Sequence, residues 1–166
     1  DNRQQMINAY DNTIRYTDNF LYQIIILLSQ DDTHSAMIYA SDHGEDIFDD
    51  KRKLFLHASP VPSYYQLHIP LILWMSNSYK ESFPICYETA NKNKDKAISS
   101  RNVFHTILSL GGIHTPYRND SLSIVSPLFV ETKRYYLNDH NQPKPFDDIG
   151  LKKEDFMMFK KAGIKY

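Results

Sequence analysis

AMIYASDHGE, residues 36–45, decides the fold and points to the site. The run from Ala36 to Ala40 carries no charge and is followed at once by a carboxylate and an imidazole, Asp42 and His43. In α/β proteins, ligands bind outside the carboxyl ends of the strands. An isolated Asp-His pair is a weak signal, because such pairs often do no more than cap a turn. The pair therefore has to be judged with the segments around it.

Downstream of the pair, a polar loop over residues 49–53 leads to a further histidine, His57, and then to a second apolar run over residues 69–75. Neither apolar run alternates with polar residues, which is typical of strands covered on both faces. The order of strand, ligand pair, loop and strand predicts an α/β fold, with a mainly parallel sheet flanked by helices. Because Gly44 can redirect the chain, we expect Asp42, His43 and His57 to converge on one edge of this sheet.

Other segments predict helices or short strands around this sheet. An apolar stripe from Ile7 to Leu28 has helical spacing, and we interpret it as a face packed on the core. A second helix is predicted from Ser99 or Ser100 to Gly111. Residues 152–162 predict a short helix, residues 134–137 a short edge strand, residues 115–127 a loop, residues 138–148 irregular structure, and residues 80–96 an exposed insertion with a solvated charge run.

Composition is that of a folded domain. The chain has 166 residues, of which 42% are hydrophobic and 23% charged, which suffices for a core. A net charge of -1 gives no basic footprint for nucleic acid. The apolar runs are shorter than the roughly 18 residues that a membrane span needs. Cys86 is the single cysteine, so an internal disulfide is impossible.

The motifs together resemble the phosphoethanolamine transferases. These bacterial envelope enzymes modify lipid A or its core sugars and belong to the alkaline phosphatase and sulfatase superfamily. The resemblance covers nearly the whole chain. It is carried by Ser41-Asp42-His43-Gly44-Glu45, by Leu56-His57 followed by Pro60, by Gln66 four residues before Pro70, by Leu73-Trp74-Met75-Ser76, by the helical segment around Tyr10-Asp11-Asn12-Thr13-Ile14, and by Phe104-His105-Thr106-Ile107-Leu108.

The resemblance implies that residues 1–166 form a single partial domain, the C-terminal portion of a sulfatase-like α/β/α sandwich. In the family a threonine nucleophile, a metal-binding glutamate and membrane helices precede the matching segment. Nothing here corresponds to them, so we expect a longer parent protein at the periplasmic face of the bacterial inner membrane. By itself the fragment is expected to be soluble and inactive.

The resemblance also implies roles for individual residues. Asp42 and His43 would bind one zinc ion together with the upstream glutamate and threonine. His57 would face the substrate, where it could protonate a leaving or attacking oxygen or bind a second zinc. Glu45 is expected to support or cap this site rather than bind metal. The implied donor is phosphatidylethanolamine, whose headgroup passes to the threonine and then to lipid A or a lipopolysaccharide core sugar.

Two alternatives stay open at this point. A sulfatase or phosphodiesterase of the same superfamily would use water in place of the sugar acceptor, although the Leu-His-x-x-Pro segment fits transferases better. A partial domain that catalyses nothing would keep two metal ligands and at most bind a metal or a partner. The sequence also departs from the family at Asp46-Ile47-Phe48 and at Ala58, beside the substrate site, which leaves the acceptor undecided.

Overall fold

The computed structural model describes residues 2–30, 32–57, 61–138 and 140–165. Its helices and strands mix along the chain, as the α/β prediction requires. No helix in these ranges is long and apolar enough to cross a lipid bilayer. In order, the elements are α1 Asn2–Leu28, β1 Ala36–Ala40, β2 Asp46–Ile47, β3 Phe55–Leu56, α2 Tyr64–Leu67, β4 Leu71–Met75, α3 Asn77–Ser82, α4 Pro84–Asn93, α5 Arg101–Leu110, a 3-10 turn Asp120–Leu122, β5 Tyr135–Leu137, β6 Pro143–Pro145, a second 3-10 turn Phe146–Asp148, and α6 Lys153–Lys161.

The strand pairs over the described residues are antiparallel, so the expected parallel pairing is wrong for them. Strand β1 pairs with β4, with Ala36 opposite Met75 and Ala40 opposite Leu71. An unalternating apolar run reports cover on both faces and does not fix strand direction. The segment between the two strands holds a hairpin and the short α2 instead of a long crossover helix. It returns the chain to the end of the sheet where β1 stopped, and that geometry is antiparallel.

The larger core cluster joins β4 and α3 to the irregular segment after α5. Its buried residues are Met75, Tyr79, Ile124, Val125 and Phe129. Residues 115–127 were predicted as a loop, and apart from the 3-10 turn they are irregular, yet they carry part of the core. Their buried backbone groups are satisfied by side chains, as an irregular buried segment requires. Asn102 Nδ2 donates to the carbonyl of Leu122 at 2.8 Å, and Ile124 N donates to Thr106 Oγ1 at 3.1 Å.

Helix α1 is present, but its apolar stripe is not buried as a core face. None of its described residues is fully buried. Ile7, Tyr10, Leu21 and Leu28 are half-buried, and Ile14 is 54% exposed. Helical spacing showed which side of α1 is apolar. It could not show that a neighbouring element covers that side.

The segment over residues 80–96 is mostly exposed and its charge run is solvated apart from Asn93, as predicted, but it is helical and not irregular. Helices α3 and α4 occupy most of it, and Pro84 stands at the start of α4, where proline is well tolerated. Within the charged run, Asn93 is buried and its Nδ2 donates to the carbonyl of Ile124 at 2.9 Å. The polar composition of the run did not indicate that Asn93 would be buried.

A second, smaller core lies beside the site loop. It is formed by Tyr64 of α2, Phe146 and Phe159 of α6. The predicted helix over residues 152–162 is therefore confirmed as α6, and the predicted edge strand as β5. Strand β5 pairs with β6, which lies in a segment predicted as irregular. Through this second core, the second 3-10 turn and α6 pack against α2.

Candidate metal centre

The turn after β1 presents His43 with a defined orientation. Ser41 Oγ donates to the carbonyl of His43 at 2.7 Å, and His43 N donates to Asp42 Oδ1 at 3.0 Å. The His43 Nδ1 atom lies 3.0 Å from the carbonyl of Gly44. A carbonyl only accepts, so Nδ1 carries the proton and Nε2 keeps its lone pair. Histidines that bind metals are typically held in this way, through the ring nitrogen that does not bind.

Asp42 lies beside the free nitrogen of His43. Its Oδ2 is 3.7 Å from His43 Nε2, and its side chain is 88% exposed. Hydrogen bonds from the backbone, first that of His43, lower the pKa of the Asp42 carboxyl below its usual value, so it is ionised at neutral pH. Two ligands of one tetrahedral zinc lie about 3.3 Å apart, given zinc-ligand distances of about 2 Å. The structure therefore brings the predicted pair close to the spacing that a shared metal ion needs. Both residues line an open groove of about 1050 Å³.

A hairpin brings His57 to the same place. Strands β2 and β3 pair with Asp46 opposite Leu56, which turns the loop back on itself. His57 Nδ1 then lies 2.8 Å from Glu45 Oε1, and the rings of His43 and His57 are 4.0 Å apart between centroids. His43, Glu45 and His57 each offer a ligand atom, and these atoms lie within 4.8 Å of one another.

The donor set fits a divalent metal. Two imidazoles and a glutamate form a known catalytic zinc set, and aspartate is a further oxygen ligand. Glu45 Oε2 is buried and has no hydrogen-bond partner among the described residues. A buried acceptor without a partner costs about 1–3 kcal/mol, and a nearby cation would offset part of that cost. Sequence reasoning gave Glu45 a supporting role, whereas its position also allows it to bind a metal.

Helix α2 locks the motif from the other side. Gly44 N donates to the carbonyl of Gln66 at 2.9 Å. Asp46 is buried, and its carboxylate accepts from Ser63 Oγ at 2.8 Å and from Gln66 Nε2 at 2.5 Å. Asp46, where the sequence departs from the family, thus accepts hydrogen bonds inside the protein. Of the family motif Leu56-His57 followed by Pro60, the structure describes Leu56 and His57. Ala58 and Pro60 lie outside the described residues.

An ion pair that could not be predicted from the local sequence joins the site loop to α6. Arg52 Nη1 and Nη2 each donate to Asp155 at 2.8 Å, across 103 positions of sequence. Arg52 also donates to Asp50. The hydrogen bonds to Asp50 and Asp155 raise the pKa of Arg52 further above its already high value. In the sequence, residues 152–162 indicated only a packing helix.

Comparison with known proteins gives a family match over most of the chain. The family model described as Sulfatase matches residues 1–113. The phosphoethanolamine transferase EptA of Salmonella typhimurium is 32% identical over 132 residues, which cover 75% of this chain and 23% of the relative. The Kdo(2)-lipid A phosphoethanolamine 7''-transferase of Escherichia coli K12 is 31% identical over 121 residues, 69% of this chain and 20% of the relative.

Solved structures agree with these sequence matches. The C-terminal periplasmic domain of EptC from Escherichia coli superposes with a TM-score of 0.76 at 25% identity, over 90% of this chain and 42% of that one. A structure of that domain in complex with Zn has the same TM-score at 24% identity. The sulfatase-like α/β class is thereby confirmed. The chain spans about a fifth to a quarter of the length of these curated relatives.

Proposed function

This chain belongs to the sulfatase family, and from that premise we propose that it is the C-terminal part of the catalytic domain of a zinc-dependent phosphoethanolamine transferase. The observation that carries the proposal is that the side chains of Asp42, His43, Glu45 and His57 lie close together at the end of β1. The curated relatives named above are phosphoethanolamine transferases, which makes group transfer the first chemistry to test at this site.

Asp42 and His43 are the zinc ligands in this proposal. His43 Nδ1 is engaged by the Gly44 carbonyl at 3.0 Å, and His43 Nε2 lies 3.7 Å from Asp42 Oδ2. The remaining ligands, a glutamate and the nucleophilic threonine, would come from the protein outside this chain, as the family resemblance implies. A bound zinc ion supplies positive charge, which lowers the pKa of a hydroxyl ligand and offsets charge on phosphoryl oxygens.

His57 and Glu45 act together on a proton. The Glu45 carboxylate accepts a hydrogen bond from His57 Nδ1–H at 2.8 Å, which leaves Nε2 of the neutral His57 ring as the base. In the transfer step this nitrogen accepts the proton of the attacking acceptor hydroxyl. In the preceding step the protonated ring can give a proton to the departing oxygen of the donor, as general acid-base catalysis requires.

The proposed donor is phosphatidylethanolamine, and the proposed acceptor is lipid A or a core sugar of lipopolysaccharide. Support for the acceptor comes from the relative named for Kdo(2)-lipid A. The periplasmic EptC domain supports a place on the periplasmic face of the inner membrane. A net charge of -1 gives no support to a nucleic-acid partner.

The test is mass spectrometry of lipid A and core oligosaccharide from cells that express the full-length protein. We expect an added phosphoethanolamine group with the native protein and none with His43→Ala. His114→Ala is the matched control, because His114 is an exposed histidine outside the site, and it should behave as the native protein does.

Two other outcomes would overturn the proposal. Hydrolysis of a sulfate ester or a phosphodiester by water, with no modified lipid A, would assign the protein to the hydrolytic branch of the family. If neither reaction occurs and purified full-length protein also fails to retain zinc, the segment is a domain without catalytic function.

A further inference from the structure

Asp155 of α6 is fully buried and collects four hydrogen bonds. Arg52 donates two of them at 2.8 Å, Tyr64 N donates one at 2.8 Å, and Lys152 N donates one at 2.9 Å. Burial alone would raise the pKa of this carboxyl, but the bonds from Arg52 and from the two backbone amides outweigh burial and lower it. Asp155 is therefore an ionised group that accepts hydrogen bonds from the site loop, from α2 and from the first turn of its own helix.

The bond to Tyr64 N matters because Tyr64 begins α2, and α2 is a single turn of four residues. So short a helix has no stability of its own, so its position is set by what holds it. On one side Asp155 and the Phe159 ring hold Tyr64, with ring centroids 5.0 Å apart for the aromatic pair. On the other side α2 faces the metal centre.

The same turn holds the metal-binding motif. Gln66 accepts from Gly44 N at 2.9 Å and donates to Asp46, while Ser63 caps α2 and donates to Asp46 at 2.8 Å. Gly44 follows His43 directly, and Gly44 and Asp46 flank Glu45. A continuous set of hydrogen bonds thus runs from Asp155 through α2 to the residues that carry the ligands.

We propose that Asp155 is a positioning residue for the metal centre, acting through the Arg52 guanidinium and the first backbone amide of α2. The Sulfatase family model ends at residue 113, so Asp155 lies outside the segment that this model describes. The geometric part of the proposal is independent of the reaction. Its consequence for zinc and transfer rests on the proposed function.

The first measurement is deuterium uptake of backbone amides in the full-length protein, read by mass spectrometry in peptides that span residues 42–48. Asp155→Asn should raise uptake there, because α2 is no longer fixed and the Gly44 amide opens. Glu154→Gln is the matched control on the same helix, and uptake should not change. Arg52→Lys keeps the cation with a single donor group and should give an intermediate increase.

The second measurement separates positioning from stability. Zinc affinity is titrated well below the melting temperature of each variant, and Val125→Ala serves as a variant destabilised in the other core cluster. Groups that orient metal ligands typically change affinity by about 10–100-fold, so Asp155→Asn should weaken zinc by about tenfold and Val125→Ala should leave it unchanged.

Each outcome has one meaning. Unchanged uptake in Asp155→Asn overturns the positioning role, and so does equal weakening of zinc by Val125→Ala. A native protein that binds no zinc, with raised uptake in Asp155→Asn, would overturn the proposed function while the coupling stands. If Asp155→Asn fails to fold, Arg52→Lys decides the question by the same two measurements.

Discussion

Gly44→Ala should disable the metal centre through a steric clash of known size. A Cβ atom on residue 44 would lie 2.0 Å from the carbonyl oxygen of Tyr65 and 3.1 Å from its carbonyl carbon. Carbon and oxygen atoms that are not bonded stay about 3 Å or more apart. Helix α2 and the turn after β1 must therefore separate by about 1 Å, because the obstructing atoms belong to backbone.

The cost follows from the contacts that this separation breaks. The bond from Gly44 N to the Gln66 carbonyl, 2.9 Å long, would be lost, at about 1–3 kcal/mol for a buried group left unpaired. Overpacking strain adds about 1–3 kcal/mol. A shift of about 1 Å at the reacting groups also costs about a hundredfold in rate. We expect a free energy of unfolding lower by about 2–6 kcal/mol and transfer activity reduced at least a hundredfold.

The assay combines chemical denaturation of purified full-length protein with mass spectrometry of lipid A from expressing cells. Gly111→Ala is the matched control, because a Cβ there would meet the Ile113 side chain at 3.4 Å and the Ile107 carbonyl oxygen at 3.5 Å, which are ordinary contact distances. That variant should keep both stability and activity. If Gly44→Ala unfolds like the native protein and still modifies lipid A, the close approach of α2 to the motif is refuted.

Three further predictions concern named side chains of the site. His43→Ala should abolish both zinc binding and transfer. His57→Ala should keep zinc, measured by elemental analysis, but its transfer rate should fall by a factor of about a hundred to ten thousand. Equal loss of zinc in both variants would make His57 a ligand. Glu45→Gln should retain zinc and reduce transfer by less than His57→Ala does, because the amide still accepts from the His57 ring; zinc loss would instead make Glu45 a ligand. Burial raises the pKa of Asp155, but the bonds from Arg52 and from the backbone amides of Tyr64 and Lys152 together outweigh it and lower the pKa. The stability that this carboxylate contributes is therefore present above the pKa of an unfolded aspartate, about 3.9, and is lost as pH falls through the folded value. Thermal melts from pH 6 to pH 2 should thus show a steeper acid loss for the native protein than for Asp155→Asn, and parallel curves would contradict the lowered pKa.

Local pattern predicted the elements because their signals lie within a few residues. The apolar run before Asp42 predicted β1, and the spacing of apolar residues predicted α1, α5 and α6. The motif Ser41-Asp42-His43-Gly44-Glu45, which comes directly after this run, also contributed to the family resemblance. These features depend on periodicity and on caps, which are properties of a short segment.

Other features depend on where the chain returns, and only the tertiary structure decided them. The antiparallel pairing of β1 with β4 follows from the path of the site loop, and the β2–β3 hairpin set the 2.8 Å contact between His57 and Glu45. The buried pair of Arg52 and Asp155 spans 103 positions, and neither residue signals the other locally. The sequence by itself determined which groups could bind metal and move a proton. The packing of α2 between α6 and the motif determined how they are held, because contacts between distant segments depend on the whole fold and not on the neighbours of each residue.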